Sequence, residues 1–350
     1  MSAPEELLEP RRQTGPVRAA PLAPRTTIGV GGPADLFVRP ADPDALAELL
    51  RAVRDLGVPL HVLGGGANTL VADAGVRGVV LRVPPFLAPE EERGETLLLG
   101  AGQPTSRLWV RGHALGLVGM EFIAGIPGTL GGAVAMNAGT RIGEMKDVVR
   151  RVEVATADGA GFLEARELGF AYRTCRLPPG GVVTRVELAL RPGDVALSER
   201  AMQEDRERRR RTQPLDRPSF GSTFRNPPGD FAGRLVEAVG LKGHRIGGAM
   251  WSDVHANFVV NVGGAQAREV LGLVDLAHST SFVPGDIAPA RYAGRLPISD
   301  FFWHGTAVTS IVASNATILA GVNRHVTLLA VKIADSLGST VSELESALLE

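Results

Sequence analysis

Ser222 stands in the segment Ser219-Phe220-Gly221-Ser222-Thr223-Phe224-Arg225-Asn226-Pro227. A hydroxyl set between a glycine and a residue followed by an aromatic, with Asn226 close by in sequence, is suited to handing a proton to a bound molecule. Two glycine-rich turns precede it, Gly64-Gly65-Gly66-Ala67-Asn68-Thr69 and Gly125-Ile126-Pro127-Gly128-Thr129-Leu130-Gly131-Gly132. Without side chains in the way, such turns bring backbone N–H groups against a phosphate. Two cradles and a proton donor on one chain suggest a bound dinucleotide that feeds a reaction at Ser222.

The elements that must position these residues follow from the hydrophobic pattern. Residues 34–39 alternate, 43–56 carry helical periodicity, and 60–63 and 78–83 are short apolar strands. The strand at 60–63 runs straight into Gly64. Three glycines in a row also serve as linker, but a preceding strand, and Asn68 with a strand-like run after it, favour a cofactor turn. The turn at 125–132 reads equally as a tight loop between packed elements. Neither is a Rossmann fingerprint, because no G-x-G-x-x-G opens a long helix with an acidic residue downstream, and neither holds the G-K-[ST] of a P-loop. Further on, the pattern predicts a strand and helix over 95–118, strands near 148–156 and 183–191, and a charged helix over 198–211. Helices at 232–239 and 265–276 then flank a strand at 255–261. The arginines of 206–211 read as a solvated face, some of them available to steer a polyanion towards Ser222.

The chain of 350 residues has a formal net charge of -1 and 44% hydrophobic residues, which fits a globular protein of two or three domains. Lysine occurs only at 146, 242 and 332, and no basic domain stands out, so a nucleic-acid partner is not expected. The first 24 residues lack an apolar signal core, and the apolar stretch 305–333 is broken by Asn315, Asn323, Arg324 and His325. No membrane association, a cytoplasmic location and a monomer are therefore expected. The single Cys175 makes no intrachain disulfide and reads as structural, and the histidines have no metal-ligand spacing, so no metal is expected.

Taken in order, the motifs resemble the UDP-N-acetylenolpyruvoylglucosamine reductase family over residues 20–275. They are Thr26-Thr27-Ile28 with Gly31-Gly32-Pro33-Ala34, Gly64–Asn68, Glu121-Phe122 with Gly125–Gly128, and Met136-Asn137-Ala138-Gly139. Tyr172-Arg173, Gln213-Pro214, Gly221-Ser222-Thr223-Phe224 with Asn226-Pro227, and His255-Ala256-Asn257-Phe258 follow. The short interval from Tyr172 to Gln213 resembles the compact subgroup. The resemblance implies an α+β protein: an FAD-binding domain of the vanillyl-alcohol-oxidase type over 25–195, after an N-terminal extension at 1–24, and a smaller α+β substrate-binding domain over 196–272. It implies non-covalent FAD on Gly64, Gly65, Gly66, Asn68, Thr69 and on Gly125, Ile126, Pro127, Gly128, Thr129. NADPH is the implied co-substrate, and UDP-N-acetylenolpyruvoylglucosamine the molecule reduced, in peptidoglycan synthesis. Arg173 is implied to stabilise the developing enolate and Ser222 to protonate carbon, with Tyr172, Gln213, Asn226, His255 and Asn257 at the substrate. Cys175 replaces a serine common in the family.

The end of the chain departs from this pattern. The family finishes with a helix and a strand bearing Pro-Glu-Val-Arg or a near variant, whose glutamate acts as an acid, and no such strand is found here. Instead, residues 273–350 resemble a fragment of a subtilisin-like serine protease: Leu273–Ser279, His304-Gly305-Thr306, and the apolar run to Val331-Lys332. His304 would be a vestige of the protease base, since the Asp element before it and the Gly-Thr-Ser nucleophile after it are missing. The expectation is a poorly packed α/β tail and an impaired reductase. A catalytically dead FAD-binding chimera and a serine protease are the alternatives.

Overall fold

The computed structural model describes residues 16–279 and two short paired strands, Ile311–Val312 and Thr317–Ile318. His304, Val331 and Lys332, on which the protease resemblance rests, lie outside the described residues. The architecture is α+β, with three principal sheets.

The first sheet has the order β1-β2-β4-β3, formed by β1 (Val17–Pro21), β2 (Pro33–Val38), β3 (Leu60–Val62) and β4 (Val76–Leu81). β2 and β3 both run parallel to β4, as the helical crossover α1 (Pro43–Asp55) between them requires. α1 begins where Asp42 accepts a hydrogen bond from Ala45 N at 2.8 Å, with Pro43 in its first turn, and it buries Leu46, Leu49, Leu50 and Val53 along one stripe. The chain's supposed N-terminal extension is shorter than expected. β1 pairs antiparallel with β2, so residues 17–21 belong to this sheet.

The second sheet has the order β11-β10-β12-β6-β5: β5 (Glu91–Arg93), β6 (Thr96–Gly100), β10 (Val149–Thr156), β11 (Gly159–Glu164) and β12 (Val182–Ala189). Its central strand β12 is buried almost throughout, against α3 (Leu130–Ala135) and other elements of the largest core cluster. α2 (Thr105–Ala114), the pair β7 (Leu117–Val118) with β13 (Arg191–Pro192), and the hairpin β8 (Gly139–Thr140) with β9 (Gly143–Glu144) complete this unit.

After α4 (Val195–Thr212), the third sheet has the order β14-β17-β16-β15: β14 (Ser219–Ser222), β15 (Arg245–Ile246), β16 (Ala249–Trp251) and β17 (Phe258–Asn261). Its core takes in α5 (Ala232–Ala238), α6 (Ala267–Ser279), and Ile28, Val30 and Leu70 from the first unit. Asp73 joins the units directly, its two carboxylate oxygens accepting from Ala267 N at 2.7 Å and Arg268 N at 3.0 Å to cap α6. Two expectations change here. The strand expected at 255–261 starts only at Phe258, because Ser252 Oγ accepts from Val254 N and His255 N and folds 252–257 into turns. Position 273, where the tail was expected to begin and pack poorly, lies inside α6, with Leu273 and Ala277 fully buried in the third-sheet core.

Candidate active site

The two glycine turns, distant in sequence, are in backbone contact. β3 delivers Gly64 to Gly66 at its C-terminal end. There a Cβ on Gly65 would lie 2.5 Å from Gly128 Cα, and one on Gly64 would lie 2.7 Å from Thr129 Oγ1. Gly66 has φ +67°, and a Cβ there would meet Arg25 O at 2.0 Å, so three successive positions exclude any side chain for three different reasons. The second turn is held by residues at the start of α2 and just before it: Thr105 N donates to Gly128 O at 3.1 Å, and Leu130 N to Gln103 O at 2.9 Å. Thr129 Oγ1 accepts from Gly132 N at 3.4 Å and starts α3. Asn68 and Thr69 follow the first turn half-buried, and Ile126 and Pro127 carry the second across to it. Against this junction lies a cleft of about 360 Å³, with Gly65, Gly128 and Thr129 on one wall and Arg39, Arg82 and Pro104 among the residues on the others. A bare backbone wall facing cationic side chains fits a diphosphate-bearing cofactor, and FAD is compatible with it.

The charged helix α4 holds a residue that the sequence did not mark. Arg209 turns inward, its Nε donating to Gln213 Oε1 at 3.0 Å, while its Nη1 is buried without a partner among the described residues. A Cβ on Gly125 would lie 2.5 Å from that nitrogen. Burial lowers the guanidinium's proton affinity, with Asp205 opposing and Arg208 reinforcing the effect. A desolvated cationic donor with no acceptor is costly, and it marks a place where an acceptor can arrive beside the second turn. Gln213 sits behind Arg209. In sequence, Arg209 is one of four consecutive arginines and carries no signal of its own.

Arg173 occupies the tip of a two-residue hairpin closed by Ala171 N to Thr174 O at 3.0 Å and Thr174 N to Ala171 O at 3.2 Å. Its φ is +57°, a strained value for a residue with a side chain. The guanidinium donates to Gly139 O at 2.7 Å and Asn137 O at 3.4 Å, and Tyr172, half exposed, stacks at 5.3 Å. Asn137, fully buried, ties this arrangement together: its Nδ2 donates to Glu144 Oε2 and Ala171 O, and its Oδ1 accepts from Lys146 N. The Met136–Gly139 motif therefore acts as the support of Arg173. Glu121, also within a motif, accepts from Ser198 Oγ at 2.6 Å and braces α4.

Ser222 ends β14 after a register shift between Ser219 and Ser222, where Gly221 has φ +84°, a value that favours glycine although no atom of the described residues crowds its missing Cβ. Among the described residues no protein group hydrogen-bonds the Ser222 hydroxyl. The loop after it is anchored by Phe224, buried 5.6 Å from Trp251. Asn257 grips Phe224 on both sides, accepting from its N at 2.8 Å and donating to its O at 2.8 Å. Expected to meet substrate, Asn257 instead has its side-chain amide committed to Phe224. Asn226 is exposed and accepts from Ala232 N at 3.0 Å, leaving its Nδ2 outward. His255 Nδ1 accepts from Asn257 N at 3.2 Å, the ring lies near Gly233, and burial lowers its pKa, so it is neutral at neutral pH. Arg225 links this loop to the hairpin, its Nη2 donating to Arg173 O at 3.3 Å. Its own proton affinity is lowered by burial, with Tyr172 opposing and the charge of Arg173 adding to the effect. Two guanidinium groups thus converge beside Ser222's loop, a setting for an anion.

Cys175 is buried, and burial pushes its thiol up to about 12, which makes it an inert core residue. Among the described residues no cluster could hold a metal ion, and no helix is long and apolar enough to cross a membrane.

Residues 34–161 match the model of an FAD binding domain, and residues 213–280 match that of the C-terminal domain of UDP-N-acetylenolpyruvoylglucosamine reductase. A protein of that name from Anaeromyxobacter sp. (strain Fw109-5) is 77% identical over 270 residues, covering 77% of this chain and 85% of the relative. One from Myxococcus xanthus (strain DK1622) is 57% identical over 263 residues, covering 73% and 84%. The crystal structure of UDP-N-acetylenolpyruvylglucosamine reductase from Thermus caldophilus is similar with a TM-score of 0.67 and 41% identity, over 77% of this chain and 95% of that one.

Proposed function

We propose, starting from the premise that this chain belongs to the UDP-N-acetylenolpyruvoylglucosamine reductase family, that its residues carry out the family's NADPH-dependent reduction in the site described above. The chain is an oxidoreductase that uses FAD. When bound, FAD would supply the hydride, drawn from NADPH, that reduces the enol ether of UDP-N-acetylenolpyruvoylglucosamine to UDP-N-acetylmuramate for peptidoglycan. The backbone N–H groups of the 64–69 and 125–129 turns, Pro127 apart, would hold its diphosphate. Arg173 and Arg225 face the enolpyruvyl carboxylate, where negative charge grows as hydride arrives at the β-carbon, and their charge stabilises it. Ser222 Oγ then gives its proton to the α-carbon. Tyr172, Gln213, Asn226 and His255 position the rest of the substrate, and Asn257 acts through Phe224. The observation that carries this reading is the hydrogen bond from Arg225 to Arg173 O, which joins the Arg173 hairpin to the Ser222 loop.

We further infer that turnover is reduced. The match to the C-terminal domain ends at residue 280, and the Pro-Glu-Val-Arg strand is not found after it. Loss of a positioned acid costs about 10² to 10⁴-fold in rate. The deciding assay is NADPH oxidation dependent on the enolpyruvyl substrate. A slow but substrate-dependent rate is expected, rising when a family-type helix-strand ending replaces residues 281–350. No substrate-dependent oxidation in either protein would overturn the functional reading. Full activity unchanged by the graft would overturn only the impairment.

A further inference from the structure

We propose that Arg82, with Arg39 beside it, is the counter-charge for the adenosine diphosphate half of FAD, and that it sets the preference of this chain for FAD over FMN. This rests on the FAD reading above but assigns residues that the reading does not use. The geometry begins in the first sheet. β2 and β3 run parallel to β4, with Val38 and Val62 each in register with Leu81. The residues that leave these strands therefore emerge at one edge: Arg39 after β2, Gly64–Gly66 after β3 and Arg82 after β4. Arg82 is also tied to β2 through its N–H to Val38 O at 2.9 Å. Carboxyl ends of parallel strands are the usual ligand edge of such sheets. Here that edge forms the cleft of about 360 Å³ whose opposite wall is Gly65, Gly128 and Thr129, a size that suits a nucleotide portion.

The charge balance is one-sided. Arg82 is half-buried, and among the described residues its guanidinium makes no hydrogen bond or ion pair. Arg25 lies near, stacked 4.5 Å over Phe37 and bonded to Pro21 O. Burial, then the charges of Arg39 and Arg25, all make Arg82 a less comfortable cation. Among the described residues no acidic side chain lines the cleft. Cations gathered against bare backbone N–H groups are balanced when a diphosphate enters between them. The reactive end of the cofactor has to reach Arg173 and Ser222. Neither they nor their supports line this cleft, so the cleft is left for the adenylate end.

The test is a titration of the apoprotein with FAD, FMN, ADP and 2′-phospho-ADP-ribose, followed by flavin fluorescence or calorimetry. Arg82→Met is expected to weaken FAD and ADP by about tenfold to a hundredfold while leaving FMN within about twofold. Arg82→Lys should recover most of the loss, and the salt dependence of FAD binding should flatten in Arg82→Met. FAD and ADP affinities unchanged in Arg82→Met, or an equal loss for FMN, would overturn the proposal. So would tighter binding of 2′-phospho-ADP-ribose than of ADP, since the cleft would then belong to NADPH. If Arg82→Met fails to fold, the exposed Arg39→Gln decides by the same selective loss. Wild-type apoprotein that takes up no FAD at all would instead sink the underlying functional reading.

Discussion

Gly65→Ala adds one methyl group where two backbone turns meet. The new Cβ would stand 2.5 Å from Gly128 Cα and 3.0 Å from Gly128 C. Carbon atoms pack at about 3.5–4.0 Å, so the turns must separate by about 1 Å. Neither can yield as a flexible side chain would: Gly128 has φ +120° and its carbonyl accepts from Thr105 N. Overpacking of this kind costs about 1–3 kcal/mol, which for a chain of this size lowers Tm by roughly 2–10 °C. Cofactor affinity should fall further than the melt suggests, because N–H groups displaced by about 1 Å lose charge-assisted hydrogen bonds, each worth about tenfold or more. Gly57→Ala is the control. Gly57 has φ +62° and, among the described residues, nothing within 4 Å of its Cβ position, so the variant should lose about 1–2 kcal/mol of stability and bind FAD normally. Thermal melts of both apoproteins, with FAD titrations by flavin fluorescence, separate the two effects. A Gly65→Ala protein that binds FAD like the wild type, or a Gly57→Ala protein that does not, would refute the mutual cradle.

Ser222→Ala should leave flavin reduction by NADPH intact and slow reoxidation by the enolpyruvyl substrate by about 10² to 10⁴-fold, as read by stopped-flow absorbance; equal losses in both half-reactions would mark a structural serine. Asn137→Ala removes three side-chain hydrogen bonds, one of them to Ala171 O in the Arg173 hairpin and the others to Glu144 and Lys146, so kcat should fall together with a loss of about 1–3 kcal/mol in urea unfolding, and an unchanged kcat would detach Asn137 from the site. His61 and His255 are both held below the ordinary histidine value of 6.5, first by burial. With folded pKa values lowered, the unfolded chain binds protons more readily: stability is complete above about pH 6.5 and declines as pH falls from there through the folded values. Urea midpoints should therefore drop between about pH 7.5 and 5.5, less so in His61→Phe, and a rising midpoint would contradict the assignment.

The first glycine turn and the strand that enters it are legible in the sequence because they depend on local chemistry, a strand followed directly by glycines. What escaped was set by distant partners. Nothing near Asn137 announces that it underlies a hairpin at Ala171, and nothing distinguishes Arg209 from Arg208 or Arg210 except that Gly125 leaves room for its guanidinium. Asn257 sits in a motif, and nothing near it in sequence announces that its amide brackets the backbone of Phe224. Leu273-Val274-Asp275 lies within the match to the reductase C-terminal domain, which runs to residue 280. The burial of Leu273 and Ala277 against the third sheet places those residues with the reductase core.

The cap that Asp73 places on α6 also bears on how the molecule comes into being. The donor atoms it satisfies belong to residues translated long after it, and the apolar face formed by Ile28, Val30 and Leu70 waits equally long for its covering. During synthesis the first unit emerges with this surface and this carboxylate in place, and the later segment condenses onto a template already made. The pairing spans most of the described chain, so loop closure across it comes late and is slow, and docking of α6 is the step most exposed to error. Assembly of the described units is thus completed at α6, after the nucleotide cleft has been built.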